Sequence, residues 1–375
     1  MQGTVNSEQL TGRAKNLLRV MIAGGGTGGH VVPALAIGRE LRDKHDADVR
    51  FIGTARGLET RMVPEAGFPL ELVRSGQLKN VSLLTKLRTM LDLPLGIQHC
   101  VGLMRAFRPQ VVVGVGGYAS GPAMIAAILL RIPTLAYEPN AVPGMTNRWV
   151  GKRVSAAAVN FAQTTRYFRN AEVTGVPVRP EIFNLPPRQE GAPLRLLVTA
   201  GSNGALVFNE TMPKIVMRLL DAVPDLTIVH QSGPRALDTA RDAYAASGAD
   251  PSRWSVAAFL NDMPAQYAAA DLVLARSGST VAELCAAGKP SLLVPFAAAA
   301  DDHQRKNAEV LVKAGAAQML LQRDVTPDSL FEALRGLLLD PQRRASMAVQ
   351  ALTLAKPGAL QRIATLVRLL ADKRG

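Results

Sequence analysis

Apolar residues in this chain fall in short unbroken runs that end in glycine, each followed by a segment whose apolar positions recur with helical spacing. "LLRVMIAGGG" (17–26) is the first such run, and the residues after it take a helical pattern through Leu35, Ile37 and Leu41. Pro33 fits the first turn of that helix, where a missing N–H leaves no bond unmade. "ADVRFIGT" reads as a second strand, and "PQVVVGVGG" and "IPTLAY" as further buried strands with helix-like runs behind them. Fully apolar strands alternating with helices predict a parallel sheet covered on both faces.

Near the middle the pattern restarts. "PLRLLVTAGSNGALVFNE" (193–210) is again strand, glycine-rich loop and helix, and "DLTIVHQSG", "RWSVAAFL", "ADLVLARSG" and "PSLLVPF" supply later strands. The proline-rich stretch "VTGVPVRPEIFNLPPRQEGAP" divides the two series. The expected architecture is α/β, with two Rossmann-like domains whose parallel sheets face across a cleft. Residues 1–16 form a polar tail, 17–178 the N-terminal domain and 179–355 the C-terminal domain. Residues 356–375 carry a helical stripe at Leu360, Ile363, Leu366 and Leu370, suited to packing back on the first domain.

Composition narrows the class. At 375 residues, 48% hydrophobic and 19% charged, the chain has the make-up of a well-packed globular protein of about two domains. Cys100 and Cys285 lie apart in apolar stretches, which is no disulfide framework and points to a reducing compartment. No signal peptide opens the chain. Val111–Leu130 is uncharged and long enough to span a bilayer, but its glycines and Pro122 read as strand, loop and helix. The formal charge of +13 asks for an acidic partner, and with aromatics at only 5% nucleic acid is disfavoured against a phosphorylated substrate or an anionic membrane.

Gly24, Gly26 and Gly29 satisfy the spacing of the dinucleotide-binding fingerprint, which also expects an acidic residue at the end of the second strand. Gly53 and Thr54 stand there instead, so NAD is not expected. What remains is a loop of backbone N–H groups at a helix start, suited to polar or anionic oxygens, or a tight turn without ligand. His30 ends the loop; the positive end of a helix disfavours an imidazolium, which leaves a neutral imidazole able to accept a proton. In the second series Ser277, Gly278 and Ser279 form a turn before a helix, with Arg276 at the strand end. Glu283 in that helix could accept both hydroxyls of a ribose, although its spacing from Thr280 is also that of a capping box. Asp301, Asp302 and His303 invite a metal, but an acidic helix start explains them better.

Taken in order, "GGGTGGHVVPALAI", "GVGGYASGP", "EPNAVPGMTNR", "VTGVPVR", "AGSNGA", "FLNDM", "RSGSTVAEL" and "DDHQRKNA" resemble the MurG family of bacterial peptidoglycan glycosyltransferases, over nearly the whole chain. The resemblance implies a GT-B fold. It also implies inverting transfer of N-acetylglucosamine from UDP-N-acetylglucosamine to the muramyl 4-hydroxyl of lipid I, giving lipid II, with no metal ion or other cofactor. Carried onto matching positions, it puts Thr27, Gly28 and Gly29 beneath the reacting sugars, Tyr118 on the acceptor side and His30 as base, with Glu138 as the alternative base. Asn140 and Gln304 would touch the transferred sugar, Arg179 and Ser202 the diphosphate with Arg276, Ser277 and Gly278, the Leu260 backbone the uracil, and Glu283 the ribose. The chain departs from the family at Tyr137 and Pro139, where H-E-Q-N is common, at Asn203 in place of glutamine, and in a "RSGSTVAE" loop one residue short. A different nucleotide sugar or glycolipid acceptor, a UDP-sugar epimerase and an inactive nucleotide-sugar-binding protein are the rivals on the same architecture.

A lipid pyrophosphate acceptor further implies a peripheral enzyme on the cytoplasmic face of the bacterial inner membrane, with cell-wall synthesis and division proteins as candidate partners. In "KNVSLLTKLRTMLDL", Leu83, Leu84 and Leu87 share a helical side beside Lys86 and Arg88, which suits either an interfacial helix on anionic lipid or a core-facing one.

Overall fold

The computed structural model describes residues 17–73 and 83–373, so the tail expected at residues 1–16 lies outside the described residues. Contacts divide the chain into two compact units. The first comprises the chain to Pro139, Pro143–Pro177 and the chain from Gly358; the second comprises Asn140–Val142 and Val178–Pro357. Asn140–Val142, which the sequence assigns to the first domain, thus joins the second.

The first unit begins with β1 (Arg19–Gly24), α1 (Gly28–His45), β2 (Asp48–Gly53), α2 (Glu59–Glu65) and β3 (Leu70–Leu72). It continues with α3 (Leu83–Phe107), β4 (Val111–Gly116), α4 (Ser120–Leu129), β5 (Thr134–Glu138), α5 (Met145–Val150), β6 (Ala156–Val159) and β7 (Ala171–Val173). The strands form one sheet in the order β3-β2-β1-β4-β5-β6-β7, every pairing parallel. Period-two alternation sends the strand side chains to two cores. Val20, Ile22, Val113 and Leu135 meet Ile37 and Leu41 of α1 on one face, while Met21, Ala23, Val112 and Ala136 meet Met104 of α3 and Met124 of α4 on the other. The stretch Val111–Leu130 is β4, a loop and α4, and among the described residues no helix is long and apolar enough to cross a membrane.

Pro33 lies a turn deeper in α1 than expected. The helix starts at Gly28, after the extended Thr27, and so includes glycines that the hydrophobic pattern does not count. Pro33 is buried and has no N–H to offer the carbonyl one turn before it.

The second unit carries α6 (Pro180–Phe183), β8 (Arg195–Thr199), α7 (Leu206–Ala222), β9 (Thr227–Gln231), α8 (Leu237–Ala245), β10 (Trp254–Ala257) and α9 (Met263–Ala269). After these come β11 (Leu272–Ala275), α10 (Thr280–Ala286), β12 (Ser291–Leu293), α11 (His303–Lys313), β13 (Ala317–Met319), α12 (Pro327–Leu338) and α13 (Pro341–Leu354). Its parallel sheet runs β10-β9-β8-β11-β12-β13. Leu196, Val198, Leu272 and Leu274 pack on Phe208 and Leu219 of α7 and on Leu330, Leu334 and Leu337 of α12.

The last helix, α14 (Ala359–Asp372), belongs to the first unit. Ile363, Ala364, Val367 and Leu370 enter the core shared by β1 and α1, and Arg362 forms a bidentate ion pair with Glu172 of β7. Leu360 and Leu366 are partly buried at the edge of that contact. Because Ile363 is fully buried, Ile363→Ala should lower unfolding stability by about 2–5 kcal/mol, the usual cost of truncating a core aliphatic to alanine. Denaturant melts followed by circular dichroism check this.

Candidate active site

Each sheet reverses its strand order once, between β1 and β4 in the first unit and between β8 and β11 in the second. Loops leaving the carboxyl ends of the strands at such a reversal diverge to opposite faces and open a crevice. Thr27, Gly28, Gly29, His30 and Tyr118 lie at the first of these places, and Ser202, Arg276, Ser277 and Gly278 at the second.

In the first unit the loops after β1 and β4 approach backbone to backbone. Gly117 has φ +80°, and a β-carbon there would fall 2.2 Å from the carbonyl oxygen of Gly25. Gly116 has φ +92°, and a β-carbon there would come within 2.9 Å of Nε2 and Cδ2 of His30. The half-buried imidazole therefore lies against bare backbone with its Nε2–Cδ2 edge nearest Gly116, and its Nδ1 is 3.5 Å from Oγ1 of the exposed Thr27. Gly28 and Gly29 make the first turn of α1 around it. Tyr118 is 43% exposed, its ring 4.0 Å from where a β-carbon on Gly26 would stand. Gly116 thus positions the imidazole, and its only sequence signal is the second glycine run, "GVGGY".

Glu138, expected as the alternative base, ends β5. It is 2% exposed, and its Oε2 accepts from the Gly144 N–H and from Nδ2 of Asn147, both at 3.0 Å. Burial and these donors make it the anchor of the β5–α5 turn. Of the residues expected at a membrane, Leu83, Leu84, Lys86, Leu87 and Arg88 fall in the first turns of α3, and their side chains lie outside the described residues.

In the second unit three buried side chains tie the candidate loops together. Asn307 of α11, 1% exposed, accepts from the Ala141 N–H at 2.9 Å and donates at 3.1 Å to both Oδ1 of Asn140 and the carbonyl of Ser277. Gln231 donates to the Gly201 carbonyl at 2.7 Å and accepts from the Leu260 N–H at 3.3 Å, joining the Ser202 turn to the segment that bears Leu260. Tyr267 is fully buried and donates to Oε2 of Glu283 at 2.8 Å. None of the three stands out in the linear sequence, because a buried amide or phenol carries no periodic signal.

Arg276 is 8% exposed, with one guanidinium nitrogen 2.9 Å from the Val294 carbonyl and its centre 5.3 Å from the rings of both Phe208 and Phe296. Burial lowers its pKa to about 10, so it remains a cation at neutral pH. Ser277 is fully buried and its hydroxyl donates to the Gln304 carbonyl at 2.8 Å. The Gln304 side chain accepts from the Phe296 N–H at 2.9 Å, and its Nε2 lies 3.7 Å from where a β-carbon on Gly278 would stand. Ser202 is exposed in the turn after β8, and Arg179 is exposed just before α6. Asp302 pairs with Arg305, which also reaches Glu309 at 2.7 Å.

The capping-box alternative for Glu283 has no counterpart in the geometry. The N-cap of α10 is Ser279, without a side-chain cap bond, and the carboxylate turns to Tyr267 instead. Burial raises the Glu283 pKa above its ordinary value, and the Tyr267 hydroxyl and the charge of Arg179 offset this only in part. A partly buried carboxylate under such net strain is what a ligand with paired hydroxyl donors would relieve.

Residues 20–159 match the glycosyltransferase family 28 N-terminal domain, and residues 195–363 match the glycosyltransferase family 28 C-terminal domain. The chain belongs to glycosyltransferase family 28. This family 28 chain is 44% identical to the UDP-N-acetylglucosamine--N-acetylmuramyl-(pentapeptide) pyrophosphoryl-undecaprenol N-acetylglucosamine transferase of Anaeromyxobacter dehalogenans, over 95% of the chain and 94% of that relative. The transferase of the same name from Solibacter usitatus is 42% identical, over 94% of the chain and 96% of that relative. The crystal structure of Acinetobacter baumannii MurG matches with a TM-score of 0.80 at 31% identity, covering 94% of this chain and 99% of that one. The family 28 architecture is the GT-B type expected, with two Rossmann-like units.

The raised carboxyl of Glu283 makes a stability prediction. A folded state with the higher pKa takes up a proton more readily than the unfolded chain, so its advantage is present below the ordinary carboxylate value and is lost as pH rises toward the folded value. Glu283→Gln should therefore unfold at higher denaturant than the unmodified protein at pH 7, with the difference closing below about pH 4. Paired melts at the two pH values test this.

Proposed function

We propose that this family 28 glycosyltransferase moves N-acetylglucosamine from UDP-N-acetylglucosamine to the 4-hydroxyl of the muramyl sugar of undecaprenyl-pyrophosphoryl-MurNAc-pentapeptide, making lipid II from lipid I for peptidoglycan. The observation that carries this reading is that relatives named for the transfer are 42% and 44% identical along nearly the entire chain. The second unit takes the donor: the Leu260 backbone meets the uracil, Glu283 the ribose, and Arg179, Arg276, Ser277, Gly278 and the Ser202 turn the diphosphate. Asn140 and Gln304 meet the transferred sugar. Two guanidiniums and loop N–H groups carry the phosphate charge, and no metal ion takes part.

The first unit serves the acceptor, with Thr27, Gly28, Gly29 and Tyr118 beside it. As the 4-hydroxyl oxygen bonds to the anomeric carbon, the bond from that carbon to the diphosphate oxygen breaks with inversion. The hydroxyl proton goes to the imidazole of His30, and UDP leaves as an anion that needs no proton at neutral pH. One base is therefore enough. Purified protein given UDP-N-acetylglucosamine, a lipid I analogue and a chelator should release UDP and form the disaccharide. No product under any lipid condition, or donor conversion without acceptor as an epimerase would give, overturns the reading. His30→Ala should lower kcat by about 10²–10⁴-fold, the usual contribution of a positioned base, with donor affinity nearly unchanged. The acidic limb of the kcat profile should vanish with it.

A polyprenyl acceptor places the enzyme at the cytoplasmic face of the inner membrane, and the leucine stripe with Lys86 and Arg88 suits anionic lipid. Replacing Leu84 and Leu87 with serine should reduce sedimentation with phosphatidylglycerol vesicles while the circular dichroism spectrum is kept. Loss of folded protein would assign the stripe to the core.

A further inference from the structure

Glu59 is 1% exposed at the start of α2, and its carboxylate is held by N–H and hydroxyl donors with no basic side chain paired to it among the described residues. Its Oε2 accepts from the Gly26 N–H at 2.7 Å, and its Oε1 accepts from the Thr54 N–H and the Thr54 hydroxyl at 2.9 Å each. The donors come from the loops after β1 and β2, the two places where a Rossmann unit meets the pyrophosphate and ribose of a dinucleotide. A β-carbon on Gly25 would fall 2.1 Å from this carboxylate, and one on Gly57 would fall 1.8 Å from it. Gly25 and Gly57 are thus fitted around an anion that the chain itself supplies, and Gly26 of the fingerprint donates its N–H to it. Burial pushes the carboxyl up, but the N–H groups of Gly26, Thr54 and Glu59 and the Thr54 hydroxyl outweigh it and hold it below its ordinary value.

We propose that Glu59 is a positioning residue that fills the anion seat of the first glycine loop, fixing the turn that presents His30 and leaving the nucleotide no phosphate site in the first unit. The kinetic arm of this proposal rests on His30 as the base; the seat itself does not. The alternative is a carboxylate that only adds to the stability of the unit. That role would move the melt, with or without formate, and leave kcat unchanged.

Glu59→Ala leaves a cavity ringed by the same three donors, and formate supplies a carboxylate of the right size. Formate should raise the thermal midpoint of Glu59→Ala in a saturable way, while neutral formamide does not, and neither should act on the unmodified protein. In the transferase assay Glu59→Ala should lose about 10–100-fold in kcat, the scale of a small misplacement of a reacting group, with donor KM little changed. Formate should recover most of that loss. Glu59→Gln keeps the shape but sets an NH2 against N–H donors, so it should lose activity and gain nothing from formate. If Glu59→Ala does not fold alone, formate should restore a cooperative melt. Absence of any formate-specific effect on the Glu59→Ala melt, or full kcat in Glu59→Gln, overturns the proposal. A formate-stabilised Glu59→Ala in a protein without transferase activity would instead keep the seat and reject the proposed function.

Discussion

A parallel sheet with helices on both faces buries its strand side chains, so a ligand can be reached only from the carboxyl edge where the winding reverses. In the first unit that edge is closed down to bare backbone. The Gly117 α-carbon meets the Gly25 carbonyl, and the strand register between β1 and β4 slips by one residue at the same level. Any side chain in this contact would separate the two loops, and one on Gly116 would strike His30. The glycines therefore set where the imidazole is. The second unit uses the same device between the loops after β8 and β9, where a β-carbon on Gly204 would fall 1.8 Å from the Ser232 carbonyl oxygen, and adds the amides of Gln231 and Asn307, each satisfied at both ends.

Three carboxylates show how one cost, desolvation, serves two purposes. Glu59 and Glu138 are buried among N–H donors, which makes each a fixed part of its loop. Glu283 has one phenol and a more distant guanidinium, and its pKa moves the other way from that of Glu59. The difference is hydrogen-bond number, since backbone N–H donors favour the charged form and burial opposes it. A carboxylate short of donors destabilises the empty fold and gains on meeting hydroxyls; one with a full set does neither. Glu283 is the least satisfied of the three.

The alternation of strands and helices, the break at the proline-rich stretch and the return of the last helix were all legible, because each rests on a hydrophobic period. The short strands were not. β3, β7 and β13 have three residues each, and β6 is "AAAV", too short or too alanine-rich to stand out from a helix or loop. In the site, the loop residues could be located because glycine and charge mark them in the sequence. Asn307, Gln231, Tyr267 and Gly116 could not, since their partners lie far along the chain and only the sheet order brings them together. Glu59 shows the same limit from the other side. The acid expected at the end of β2 is absent, and the one that fills its surroundings comes back from the next helix.

The departures from the family pattern can be weighed by where their side chains go. Tyr137 is fully buried and belongs to the core of β1, α1 and α14, so a phenol there alters packing and leaves the loops alone. Pro139 needs only its carbonyl, which accepts from Nδ2 of Asn160 at 3.2 Å, and its fixed φ suits a chain leaving a strand. Asn203 lies exposed in the turn after β8, where the Gly201 carbonyl, not the Asn203 side chain, is what Gln231 holds. Glu138 and Asn140, the two positions that keep the pattern, are the two whose side-chain oxygens accept hydrogen bonds from other elements. The short β5–α5 segment thus keeps its shape through its neighbours.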